Sequence, residues 1–385
     1  MKNSRRSAAF IITRWLATKD FPASLLPEGP DRAFVQSIVY MVIRRLRALR
    51  KILGGFVSKW PKGELEALLY VGAAQILYMD EIPDFAAVNE TVEAAKESGN
   101  RSIVRVVNGV LRNLIRKRDE VGAMMKQASL EERESFPTEI VRRWRARFDE
   151  QDVVKLCEWH NMPAQTYLAR RDGSFVMLER GKRVEDVIGF REGDFIVQDP
   201  GTRYAVEMVN PQCGDEILDA CASPGGKTIQ MVWRGANVVA CEVNPRRRQR
   251  LIENIARVKA SSQVEVVPSL ELDGRKFAKV LVDAPCSNTG VFRRRPDARW
   301  NWSLEKLSSL TKLQAEILDK VAPLVAMNGA LIYSTCSNEP EENIKQVEAF
   351  LGRHADFSLV DTFESIPYVS GNDGAFTAKL VRKMI

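Results

Sequence analysis

From about Pro211 onward the chain sets short apolar runs between helical patterns, and few architectures can absorb such an alternation. Glu216-Ile217-Leu218-Asp219 reads as a buried strand, followed by a glycine turn and a helix. Val238 to Glu242 is a second strand, followed by a helix over Pro245 to Val258. Val264 to Val267, Val280 to Asp283 and Ala330 to Tyr333 supply three more. Strand–helix alternation predicts an α/β, Rossmann-like parallel sheet covered on both faces. Ligands in such sheets bind at the carboxyl ends of the strands, where the strand order reverses. The residues just after each strand are therefore the ones to inspect.

The N-terminal third follows a different period. Apolar residues recur at three- and four-residue spacing in Ala8–Ile11–Ile12–Trp15–Leu16, Phe34–Ile38–Val42 and Leu65–Leu69–Ala73–Ile76–Leu77. Pro22, Pro27, Pro61 and Pro83 fall between these patterns, where helices should break. An all-helical domain is expected over 1–120, a linker over 121–136, a small α+β segment over 137–200 and the catalytic sheet domain over 201–385. A length of 385 residues accommodates such a multi-domain plan. Hydrophobic (45%) and charged (28%) fractions are those of a globular chain rather than a disordered one. No apolar run approaches the ~18 residues of a membrane helix, and no signal peptide is apparent. A soluble, cytoplasmic and monomeric protein is expected, with no membrane partner.

Charge is distributed unevenly. Residues 1–150 hold 26 Lys and Arg against 19 Asp and Glu, whereas residues 151–385 hold 31 of each. The whole net charge of +7 thus sits in the N-terminal part, and the segment 101–118 carries six basic residues and no acid. That imbalance suggests a polyanion, with nucleic acid favoured over a membrane surface. A solvated helix face is the competing account. The six cysteines are scattered and only two histidines are present, so no metal site is expected.

Four of the strand ends carry chemistry. The first strand runs into Asp219-Ala-Cys-Ala-Ser-Pro-Gly-Gly-Lys227-Thr228. A phosphate-cradling loop G-x-x-x-x-G-K-[ST] would need glycine at Cys221, and adjacent Gly225 and Gly226 do not make G-x-G-x-x-G. S-adenosyl-L-methionine fits better, because it has no phosphate and its ribose needs an acidic acceptor. Glu242, 23 residues beyond Asp219 at the end of the second strand, supplies one. Further on, one strand leads into Asp283-Ala-Pro-Cys286 and another into Ser334-Thr-Cys336. Single cysteines are mostly inert packing. Two thiols on the same functional edge, one beside an aspartate, suit methylation of cytosine at carbon 5. A thiolate adding at carbon 6 makes carbon 5 nucleophilic. An acid such as a protonated Asp283 would stabilise the charge reaching N3, and a second thiol could assist release. The base must leave its stack, which favours single-stranded or opened RNA.

The motifs DACASPGGKT (219–228), DAPCSNTGVFRRRPD (283–297), STCSNEPEEN (334–343) and NDGAFTAKL (372–380) resemble the RNA 5-cytosine methyltransferases of the RsmB/Sun and NOL/NOP2 type. The segments DRAFVQSIVY (31–40), AAQILYMDEIPDFAAVNETVEAAK (73–96) and VNGVLRNLIRK (107–117) resemble a NusB-like RNA-binding domain. This domain order is that of the bacterial subgroup acting on small-subunit (16S) ribosomal RNA. The resemblance implies that Cys336 is the nucleophile and that Cys286 assists release. It also implies cofactor contacts at Cys221, Ala222, Ser223, Pro224, Gly225, Gly226, Lys227, Glu242 and Asp283. Two departures stand out. The usual Gly-Asp after the third strand is replaced by Val267-Pro268-Ser269, with Asp273 a candidate substitute, and Asn288 stands where glycine is usual.

Arg293, Arg294, Arg295 and Arg299 follow the Asp283–Cys286 motif and are expected to meet RNA phosphates, with Trp300 either stacking on a base or buried. The alternatives are the same chemistry on transfer or other RNA, and a non-enzymatic RNA-binding or assembly factor that has kept the fold.

Overall fold

The apolar periodicity of the N-terminal part becomes a stack of helices in the computed structural model, which describes residues 3–179, 181–272 and 274–384. They run Ser4–Thr18, Arg32–Arg44, Leu46–Gly54, Glu64–Tyr78, Asp84–Lys96 and Arg101–Arg116. Asn3 and Asn100 cap two of them by accepting from backbone N–H groups in the first turn. Glu64–Tyr78 is buried continuously from Ala67 to Ile76, as expected of a central helix that is apolar all round. Gly72 on it lies so close to Leu111 that a Cβ would sit 2.3 Å from the leucine side chain.

The chain divides into two compact units, Met1–Met162 with Arg295–Asn301, and Pro163–Arg294 with Trp302–Ile385. The division therefore falls at 162 rather than at 120 or 200. The expected linker is helical over Arg118–Lys126 and Leu130–Arg133, the second opened by a Ser129–Glu132 capping box. Most of its charged residues keep contact with solvent, Glu131 being buried, while Val121, Leu130 and Phe136 pack inward, which is why composition alone suggests a linker. Helices Thr138–Arg145 and Glu150–Asn161 complete this unit.

The same unit takes in the short stretch 295–301, and here the RNA expectation for Arg299 fails. Arg299 is fully buried. Its guanidinium donates to the carbonyls of Arg44, Ser135 and His160 and to Asn161 Oδ1, and it lies over the Phe136 ring. Carbonyls near helix C-termini present negative charge to a cation, so this arginine is a strut of the interior. Trp300 is half-buried and donates its indole N–H to the Ile43 carbonyl, 2.7 Å away.

The second unit begins with a three-stranded antiparallel sheet of β1 (Tyr167–Arg170), β2 (Phe175–Met177) and β3 (Phe195–Val197). The main sheet contains β4 (Glu216–Asp219), β5 (Asn237–Cys241), β6 (Val264–Val267), β7 (Phe277–Asp283), β8 (Val325–Thr335), β9 (Phe357–Ser365) and β10 (Ala375–Arg382), in the order β6-β5-β4-β7-β8-β10-β9. The strands β4 to β8 pair in parallel as their alternation with helices predicts. The chain then adds β10 and β9 antiparallel at one edge, making the sheet mixed. Strand order reverses between β4 and β7, so the switch point faces the cofactor loop and the two cysteine loops.

Candidate active site

The loop after β4 needs its glycines. Gly225 has φ +104°, and a Cβ there would meet the Leu251 side chain at 2.9 Å. At Gly226, the first residue of the helix Gly226–Trp233, a Cβ would press on the Gln198 amide. Thr228 donates to Asp219 Oδ2 at 2.6 Å, whereas Asp219 Oδ1 is buried with no hydrogen-bond partner. Burial pushes the Asp219 carboxyl up to about 6. Lys227, the residue a nucleotide loop would aim at phosphate, instead donates to Asp283 Oδ2 at 2.6 Å. Burial alone would lower the Lys227 ammonium; the attraction of Asp283, helped by Cys336, holds it above its ordinary value. At the end of β5, Glu242 is 7% exposed; its Oε1 accepts from the Asn244 N–H, and its Oε2 has, among the described residues, one ion-pair partner, Arg247 at 3.9 Å. A glycine cradle, a spare carboxylate oxygen and no free phosphate-binding lysine fit S-adenosyl-L-methionine and disfavour a nucleotide. Asp273 lies outside the described residues.

β7 and β8 are parallel neighbours, with Asp283 opposite Ser334. Loops leaving the same edge of adjacent strands bring Cys286 Sγ and Cys336 Sγ to 3.1 Å of each other. The hydrogen bond to Cys336 comes first in raising the Cys286 thiol well above its ordinary range; burial and the negative charge of Glu342 add to it. Asn288 explains its own departure from glycine. It holds φ +62°, a left-handed conformation that asparagine tolerates, and its Oδ1 accepts from the Cys336 thiol at 3.2 Å.

Several residues without an expected role brace these loops. Glu342 is fully buried and accepts from Ser287 and Ser337, the residues following each thiol. Asn343 accepts from the Thr335 hydroxyl and donates to the Ser337 carbonyl. Gly290 N–H donates to the Cys336 carbonyl at 3.1 Å, and Gly374 N–H to the Gly290 carbonyl at 2.9 Å. These residues lie inside the quoted motifs, so the segments were visible in the sequence although the contacts were not.

The other arginines expected on RNA are also accounted for differently. Arg294 is bound by Asp199 and Asp373 and by the Gln165 carbonyl. Arg293 is 5% exposed. Arg295 pairs with Asp297 at 2.9 Å and lies over the Phe21 ring, within the helical unit. Carboxylates far away in sequence take the Arg294 guanidinium, and a local motif gives no sign of them. Among the described residues, no helix is long and apolar enough to cross a membrane.

A mixed seven-stranded sheet with this loop chemistry defines an S-adenosyl-L-methionine-dependent methyltransferase. Residues 206–381 match the family described as 16S rRNA methyltransferase RsmB/F, and residues 2–116 match the NusB family. The ribosomal RNA small subunit methyltransferase B of Serratia proteamaculans is 32% identical over 99% of both chains, and that of Cronobacter sakazakii 33% over 92% of this chain and 91% of its own. Among solved structures, PH0851 superposes with a TM-score of 0.79 at 19% identity, covering 99% of this chain and 98% of its own, a likeness of fold. The chain belongs to the RsmB/F family and is an RNA methyltransferase.

Proposed function

We propose that the protein methylates carbon 5 of a cytosine in 16S ribosomal RNA through a covalent Cys336–C6 adduct, with Cys286 assisting release. The observation that carries this reading is the pair of thiols 3.1 Å apart beside the Lys227–Asp283 ion pair. Their surroundings differ: the Cys336 thiol donates to Asn288 Oδ1 at 3.2 Å, while Cys286 faces the Cys336 sulfur and the Glu342 carboxylate. The Cys336 hydrogen bond, burial and the nearby carboxylate all hold Cys286 in its thiol form, which suits it to donate a proton on release rather than to attack, and so supports Cys336 as nucleophile.

Cys336 gives up its thiol proton to water, a lone pair on its Sγ forms the bond to C6, and the C5=C6 π pair moves through the ring towards N3. Lys227 and Asp283, already sharing a proton, meet the charge there and hold a proton at N3. Asp283 thus acts together with Lys227, its partner at 2.6 Å, rather than as an isolated acid. The bound cofactor supplies a methyl group on a sulfonium, which C5 can then accept. On release, the C5 proton leaves to water, its electron pair restores C5=C6, and the C6–S pair returns to Cys336. The S–H of Cys286 stabilises that departing sulfur.

Small-subunit RNA as substrate is supported by the relatives' names and by the helical unit. Arg101, Arg105, Arg112 and Arg116 are all exposed on its helix Arg101–Arg116, as a phosphate-binding face would require. The test is Cys286→Ala expressed in cells. RNA stranded on the protein, visible as a slow band on a denaturing gel and lost when Cys336→Ala is added, is expected. Sequencing it names the substrate: 16S RNA supports the proposal, and transfer RNA overturns that part. A folded, abundant variant with no band overturns the adduct.

A further inference from the structure

The loops that carry the two thiols end in hydroxyl-bearing residues, Ser287 after Cys286 and Ser337 after Cys336. Both loops reach the same buried group, Glu342. Its Oε1 accepts from the Ser287 backbone N–H at 2.8 Å and from Gln314 Nε2 at 3.0 Å. Its Oε2 accepts from the hydroxyls of Ser287 and Ser337. Four donors therefore occupy the four acceptor sites of one carboxylate. Only the ionised form meets all four, because a carboxyl or an amide would turn a proton towards a donor. Thr289 adds to the cluster, with its hydroxyl 3.0 Å from that of Ser337. No cation balances the charge within 4.0 Å among the described residues, so the carboxylate is held by dipoles alone. Burying an anion is costly unless it is fully hydrogen-bonded, and here the bonds converge on the residues adjacent to both thiols.

We infer that Glu342 is a positioning residue that clamps the Cys286 loop to the Cys336 loop and so sets the thiol-to-thiol geometry on which adduct release depends. The inference rests on the cysteine roles proposed above. In the step concerned, water takes the C5 proton and the C–H pair becomes the C5=C6 bond. The C6–S bond breaks with its pair on Cys336, and the Cys286 S–H proton passes to that sulfur. The Cys286 thiolate then recovers a proton from the hydronium so formed. Proton transfer between sulfurs needs them within hydrogen-bonding reach, and loops free to part by about an ångström lose rate on the order of a hundredfold. Addition of Cys336 to the ring does not need Cys286 and should be affected less.

Glu342→Gln is the informative variant. With its amide oxygen at the Oε1 site it still accepts from Ser287 N–H and Gln314, while the two hydroxyls can turn to accept from its NH2. The fold is therefore retained, while the two short charge-assisted bonds that join the loops become longer, weaker neutral ones. Single-turnover methylation and the lifetime of the RNA–protein adduct are measured in the full-length enzyme. The expected result is an adduct lifetime lengthened at least about tenfold, with methyl transfer to the adducted base and the RNA KM near wild type. A merely structural role would lower Tm and slow all steps together, leaving the ratio of adduct to product unchanged, and that result overturns the inference. Ser287→Ala and Ser337→Ala remove donors from the other side and should lengthen the lifetime likewise; they decide the matter should Glu342→Gln not fold. Failure of the cysteine reading would be recognised separately, because Cys286→Ala itself would then strand no RNA.

Discussion

At the scale of single residues, the site is organised by which charges are paired and which are left over. Lys227 and Asp283 neutralise each other, Glu342 is satisfied by dipoles, and Asp219 keeps one oxygen unpartnered. Asp219 therefore makes stability depend on pH in a defined direction. Its folded pKa, about 6, lies above the ordinary 3.8. Its contribution is full below the unfolded value and is lost as pH rises through the folded one, since the folded chain must then bury an anion. Asp219→Asn should gain stability relative to wild type as pH rises from about 4 to about 6, by on the order of 1–3 kcal/mol with a correspondingly higher Tm, and keep that gain at higher pH. Melting curves without cofactor check this; parallel curves would refute it. Asn288 shows how a departure from a family pattern can be read. Its position needs a left-handed backbone, and the asparagine that supplies it also reaches the Cys336 thiol.

At the scale of elements, the cysteine loops are held by backbone contacts that leave no space. A Cβ on Gly290 would lie 2.5 Å from the Gly374 carbonyl oxygen, and one on Gly374 would lie 2.3 Å from Asn338 Oδ1. Gly290→Ala should cost about 1–3 kcal/mol and slow adduct formation, because the displaced loop carries the carbonyl of Cys336. Thermal melts together with gel quantification of the adduct would check both effects; an unchanged Tm would contradict the close packing. The strands β4 to β8 and the order of their loops were legible in the sequence, since parallel strands read as continuous apolar runs. So were the cofactor loop, Glu242 and both thiols, all of which follow strands directly. The antiparallel edge was not, because β9 is mostly exposed and its apolar residues do not form the continuous buried run of a parallel strand. Neither was the fate of Arg294, whose partners Asp199 and Asp373 lie 95 and 79 residues away. A run of arginines looks the same in sequence whether it meets phosphate or buried carboxylate.

At the scale of the whole molecule, the helical unit is discontinuous in sequence, closing its interior with Arg295–Asn301. Arg299→Met keeps bulk but leaves the carbonyls of Arg44, Ser135 and His160 without this donor. We expect a loss of about 3 kcal/mol and new protease cleavage within 295–301, with the salt dependence of RNA binding unchanged. A flatter salt dependence with intact stability would instead restore Arg299 as a phosphate contact. The discontinuity also bears on how the protein is made. Domains emerging from a ribosome fold from the N-terminus onward, each once its residues are available. Here the first unit to emerge lacks part of its interior until the strands β4 to β7 have been translated. Its helices must wait, with the pocket for Arg299 unfilled, through the synthesis of 132 intervening residues, 163 to 294. A chain stalled or cut within that interval would leave an unfinished helical unit, so the cell acquires that unit in finished form only after most of the enzyme exists.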